Sequence, residues 1–112
     1  MKFTVERSGV PVGSYGAKFV QAEAFSNDFG DAVRLSFEVV AGEHSGATCT
    51  RIVSAKLTPK SGLYRFVQAI AGRKPGAGEE IDLAAMYGTA GMIVVQETDS
   101  GAVRVESFVR MG

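Results

Sequence analysis

Two periods organise the apolar positions of this chain, and one of them occurs only once. Leu63, Phe66, Val67 and Ile70 recur at i, i+3, i+4 and i+7, which places all four on one face of a helix. Gly72 supplies the stop, because glycine reaches the left-handed conformation that closes a helix at little steric cost. The start has two readings. Thr58 caps with Pro59 in the first turn, or Ser61 caps one turn later. Everywhere else the period is two. Val33, Leu35, Phe37 and Val39 alternate with Arg34, Ser36 and Glu38, the cleanest strand pattern in the sequence. Before it, Tyr15, Ala17 and Phe19 alternate with Gly16, Lys18 and Val20. The pattern then slips through residues 21–25, which predicts a bulge or coil in a long, bent strand.

The remaining strands are read the same way. Residues 47–55 form a third strand rich in Thr, Ile and Val, whose facing is ambiguous; the expectation is Ile52 in the core and Arg51 toward solvent. Residues 91–97 and 102–109 form the fourth and fifth, with Val103, Val105 and Phe108 inward. Turns fall at 26–31, 42–46 and 98–101 by their Gly, Asn, Asp and Ser content. Residues 73–80 read as a mobile loop, and 81–88 as a short helical turn capped by Asp82 and ended by Gly88. One helix between strands three and four of a five-strand chain is the ground plan of an OB-fold. The expected fold is therefore mainly β, a five-stranded Greek-key barrel with one α-helix. With 112 residues the chain forms one domain, residues 1–12 as an N-terminal arm and 13–109 as the barrel.

Composition narrows the class. A hydrophobic share of 46% and a charged share of 21% are ordinary for a globular protein. No apolar run approaches the roughly 20 residues that cross a bilayer, and residues 1–6 lack a signal-peptide core. Cys49 is the only cysteine, so no internal disulfide forms; a reducing, cytoplasmic location is expected. Twelve basic and twelve acidic residues give zero formal charge, but they are segregated. Between His44 and Gly78 there are six basic residues (Arg51, Lys56, Lys60, Arg65, Arg73, Lys74) and no acidic one. Residues 1–43 carry −2 and residues 79–112 carry −4.

Catalysis finds little support. His44 is the only histidine, so a nucleophile–base pair has a single candidate base, and it sits in a turn. A metal site would need a second His or Cys. Gly76-Ala77-Gly78 lacks the lysine and hydroxyl that follow in a phosphate-binding loop. The sequence is read as a non-enzyme without a cofactor or metal.

An ordered series of short motifs carries a resemblance. Gly13-Ser14-Tyr15-Gly16-Ala17 matches a Gly-x-Tyr-x-Ala opening strand. Phe37-Glu38-Val39 leads to the hairpin Gly42-Glu43-His44-Ser45-Gly46. Lys60-Ser61-Gly62-Leu63 matches a helix start, and Asp82, Leu83 and Gly88 match the step before strand four. Over residues 13–109 the chain resembles small OB-fold proteins of phages and prophage-bearing bacteria, a single-stranded-DNA-binding-like family. Gly62 departs from the lysine or other polar residue of that pattern. The resemblance implies non-sequence-specific binding of single-stranded DNA, in phage or prophage replication or recombination.

OB-folds bind single strands on the face of strands two and three and on the flanking loops, with cations on phosphates and rings stacked on bases. On this sequence that face offers Arg34 and Arg51, with Lys56 at its edge and Lys18 from strand one. The first loop brings Phe25 and Phe29, which either stack bases or plug the end of the barrel. Tyr15, Phe19, Phe37 and Phe66 read as core, and Lys60, Arg65, Arg73 and Lys74 as a solvated helix face. Glu38 on the same face opposes an anionic ligand, so binding should be weak to moderate and salt-sensitive. DNA is not distinguished from RNA. The rival reading is a protein-interaction or structural OB module, including a homo-oligomer joined through strand edges. The facing of strand three separates the two. Arg51 outward beside Arg34 favours nucleic acid, and an exposed Ile52–Val53 patch favours a protein partner.

Overall fold

The computed structural model describes residues 10–28, 30–58 and 60–111. Its elements follow the expected order: β1 (Gly13–Asn27), β2 (Gly30–Val39), β3 (Thr48–Ser54), α1 (Gly62–Ala71), β4 (Ala90–Glu97) and β5 (Val103–Arg110). A 3₁₀ turn, Leu83–Met86, precedes β4, capped by the Asp82 carboxylate on the Ala84 N–H at 3.0 Å. Most of the expected N-terminal arm lies outside the described residues.

The five strands form one antiparallel sheet in the order β3-β2-β1-β4-β5. β1 is its centre, pairing with β2 through most of its length and with β4 near its start. One strand serves both neighbours because it bends. The β1–β2 register steps past Val20 between Phe19 and Gln21, a bulge one residue ahead of the slip read from the sequence. Among the described residues no backbone ladder joins β3 to β5. The sheet is open along that seam, so the closed Greek-key barrel expected from the sequence is not formed.

The core lies on the inner face of the sheet, under α1. Phe19, Leu35, Phe37, Val39, Val67, Ile70, Ile93, Val95 and Val105 are fully buried. Phe37 is its hub, with ring centroids 5.5 Å from Phe19, 5.4 Å from Phe108 and 6.1 Å from Phe66. α1 packs on β5 and β3 and buries Leu63, Phe66, Val67 and Ile70, the four positions of the helical period. Each such side chain contributes about 1.5–3 kcal/mol by leaving water. Of the two possible caps, Ser61 is the one used. Its Oγ accepts the Tyr64 N–H at 3.1 Å and donates to the Thr58 carbonyl at 2.9 Å. Gly72 closes the helix at φ 74°, its N–H on the Gln68 carbonyl at 3.0 Å.

β3 faces the opposite way from the expectation. Cys49 and Val53 are 3% and 6% exposed, whereas Ile52 is 50% exposed. Cys49 lies across from Phe37, Arg51 across from Leu35 and Val53 across from Val33, so all three join the inner face. Arg51 is what misleads. A charged residue in the alternating set looks like a solvent position, yet its aliphatic stem can be buried when its head finds acceptors.

The 73–80 segment, read from the sequence as a mobile loop, carries hydrogen bonds of its own. Arg73 forms a two-pronged pair with Glu79, whose Oε1 also accepts the Gly76 N–H at 3.0 Å. The buried Tyr64 hydroxyl donates to the Pro75 carbonyl at 3.1 Å. Gly91 in β4 is required by close approach. A Cβ there would lie 2.3 Å from the Val109 carbonyl oxygen and 2.5 Å from the Phe108 ring.

Candidate nucleic-acid interface

The outer face of β1, β2 and β3 is built by the two-residue alternation of each strand. Ladder partners share a face, so Glu23, Arg34 and Ile52 lie in one row and Lys18, Glu38 and Thr48 in another. Phe25 lies across from Ala32 on the same side. It is half-buried and stands apart from the core cluster. Arg34 sets its guanidinium carbon 5.3 Å from the centroid of the Phe25 ring, a cation–π contact at an exposed site.

Each cation on this face already has an acid. Arg34 is 3.7 Å from Glu23 and Lys18 is 4.0 Å from Glu38, all four side chains being a third or more exposed. Exposed pairs of this kind are worth about 0–1 kcal/mol, so a phosphate can displace the carboxylate at small cost. Lys56 lies beyond the end of β3, exposed and without a carboxylate within 4.0 Å among the described residues. Beside Phe25 a shallow cavity of about 370 Å³ is lined by Ala24, Ser26, Asp31, Ala32 and Ala55. Its rim is fixed by the Ser26 hydroxyl donating to the Asp31 carboxylate at 2.7 Å. Phe29 lies outside the described residues.

Arg51 is not part of this face. Its side chain is 12% exposed, and its Nη1 donates to the Val105 carbonyl at 3.2 Å and to Glu106 at 3.3 Å, spanning the open seam from β3 to β5. The guanidinium carbon lies 5.8 Å from the Phe66 centroid. Burial pushes its pKa below the ordinary value, and the nearby Arg104 adds to that, while Glu106 opposes both. Its Nε is buried without a hydrogen-bond partner.

The outer face thus gathers Lys18, Phe25 and Arg34, leaves Lys56 at the edge and loses Arg51 to the interior. Glu23 was missed as the acid beside Arg34, because the β1–β2 register that joins them depends on the Val20 bulge.

His44 and Cys49 are kept apart in role. His44 is 3.5 Å from Glu43 and meets the Tyr15 ring edge-on with centroids 5.8 Å apart. The Cys49 thiol is buried, and desolvation raises its pKa. Among the described residues no three His, Cys, Asp or Glu side chains come together as metal ligands, and no helix is long and apolar enough to cross a membrane.

A scan against protein-family models finds no match for this chain, and a search of curated proteins finds no relative.

Proposed function

We propose that this chain is an OB-type binding module that holds single-stranded DNA, without sequence preference, on the outer face of β1–β3. The observation that carries the reading is Arg34 over Phe25: one cation and one ring on an exposed sheet face, with Lys18 on the same face. That is the pairing of phosphate contact and base stacking that single-strand binders use. The order β3-β2-β1-β4-β5, the helix between β3 and β4 and the seam between β3 and β5 support a partly open OB-type barrel. The resemblance to phage and prophage OB-fold proteins supports a role in their DNA replication or recombination. The single buried cysteine is compatible with a cytoplasmic location.

Affinity is modest on this reading, because Glu23 and Glu38 compete with phosphates for the two cations. The test is fluorescence anisotropy of labelled oligo-dT at low and near-physiological salt. Binding that weakens with salt, and weakens again in Arg34→Ala and Phe25→Ala, is the expected result. No binding at low salt and high micromolar protein overturns the reading. Oligo-rU in parallel separates DNA from RNA. A second reading, a protein-interaction module, is favoured by one observation. Ile52, 50% exposed, stands directly beside Arg34 where a nucleic-acid face would gain from a polar or cationic group.

A further inference from the structure

The groove between α1 and β5 lies away from the outer face and combines an unpaired strand edge with unneutralised positive charge. Two cavities of about 270 and 550 Å³ open side by side there and share Arg65, Ala69 and Phe108. Among the described residues β5 forms a ladder with β4 alone, so its other edge carries no ladder there. Arginines pin both ends. Arg51 reaches the Val105 carbonyl at 3.2 Å, and Arg110 reaches the Ala71 carbonyl at the end of α1 at 2.7 Å. Between these staples, residues 106–109 leave about 13 Å of extended edge at roughly 3.3 Å per residue.

The charge of the groove is one-sided. Arg65, Arg73 and Arg110 line it; Arg73 is paired with Glu79, which leaves Arg65 and Arg110 against the one acid of the lining, Glu106. Glu106 is already held by Arg51 at 3.3 Å and Arg104 at 3.5 Å. Among the described residues Arg65 and Arg110 have no carboxylate within 4.0 Å. An anionic occupant is therefore favoured, and the groove distinguishes between two kinds. Single-stranded nucleic acid needs exposed rings to stack on. The rings here, Phe66 and Phe108, are 3% and 4% exposed and form the floor. A peptide needs a strand edge and flanking pockets, which the groove has.

We infer that the α1–β5 groove takes a short, extended, acidic segment of a partner protein, added as a strand along β5 with its carboxylates on Arg65 and Arg110. The site stands independently of DNA binding on the outer face.

The probe is a fluorescein-labelled peptide, Asp-Asp-Ile-Asp-Asp, titrated with the full chain and compared with its Asn-Asn-Ile-Asn-Asn analogue. Binding of the acidic peptide at least about tenfold tighter than the neutral one is expected, a difference of about 1.4 kcal/mol. Arg65→Glu and Ser107→Glu, both at exposed positions, should each abolish that preference, while Arg34→Ala leaves it intact. Backbone amide shifts should map to residues 106–109 and α1. Equal binding of the two peptides, no binding, or shifts confined to β1–β3 overturns the inference. Displacement of the peptide by oligo-dT with the same Arg65→Glu sensitivity also overturns it, and assigns the groove to nucleic acid. Loss of oligo-dT binding alone would fail the outer-face reading and leave this one standing.

Discussion

Arg34 lies directly across from Ile52 in the β2–β3 ladder, and Arg51 lies across from Leu35. The two arginines therefore stand on opposite sides of one sheet. Arg34 is a surface cation with a ring beneath it, and Arg51 is a structural strut under α1. A single-residue shift in facing reassigns a strand's whole set of side chains, because the side-chain period is two.

Ile52 is the position at which a cation would restore the two-arginine face read from the sequence. Ile52→Lys should tighten oligo-dT binding and steepen its salt dependence by about 0.7 in the log–log slope, the single-strand value for one more phosphate contact. Its exposure predicts a stability change within about 0.5 kcal/mol. Anisotropy over a salt series, beside urea denaturation, measures both. An unchanged slope would place bound DNA elsewhere.

Arg51→Ala should destabilise the chain by about 1–3 kcal/mol, because the Val105 carbonyl loses a donor and Phe66 loses the guanidinium above it. Arg51→Met should recover part of that loss. Methionine keeps the apolar stem and removes the partnerless Nε. Urea midpoints of the two variants decide; if Arg51→Ala matches the parent, the seam is held by other contacts.

The Arg73 guanidinium and the Gly76 N–H hold the Glu79 carboxyl well below the usual carboxylate range, at about 2. A folded-state pKa below the unfolded one contributes stability above the unfolded value, and that contribution is lost as pH falls through the folded value. The affected window is thus between the ordinary value of 4.5 and about 2. Arg73→Ala should return the Glu79 titration toward its ordinary value and remove this part of the acid sensitivity. Carboxyl carbon shifts followed by NMR from pH 6 downward report it. A Glu79 titration unmoved by Arg73→Ala would refute the pairing.

Gly91→Ala should be severely destabilising, of the order of 3 kcal/mol or more, because the backbone oxygen of Val109 cannot yield as a side chain does. β4 must shift away from β5, and Phe108 must leave its stack on Phe37. Thermal denaturation followed by circular dichroism measures the loss. A melting temperature close to the parent's would mean that the strands separate there without penalty.

The order of elements was legible because each segment signals its own period. The helical face of Leu63, Phe66, Val67 and Ile70, the alternation of β2 and the Asp82 cap are all local, and the structure reproduces them. The facing of β3 was not legible. Thr48, Thr50, Ile52 and Ser54 compete closely with Cys49, Arg51 and Val53, and the choice depends on acceptors contributed by β5 more than fifty residues away. The α1–β5 groove was hidden for the same reason. Arg65 was read as a solvated helix position, and only the fold brings Arg110 alongside it. The basic block at positions 44–78 contains Arg65 but not Arg110, so it pointed to only part of the groove.

The lack of a β3–β5 ladder among the described residues also bears on folding and local opening. Joining Arg51 to Val105 closes a 54-residue loop, and among the described residues side-chain bonds rather than a ladder reward that closure. β1, by contrast, is locked by ladders on both flanks. The outer strands are then expected to act as two leaves on a common spine: the last strands to meet during folding and the first strands to part in local opening.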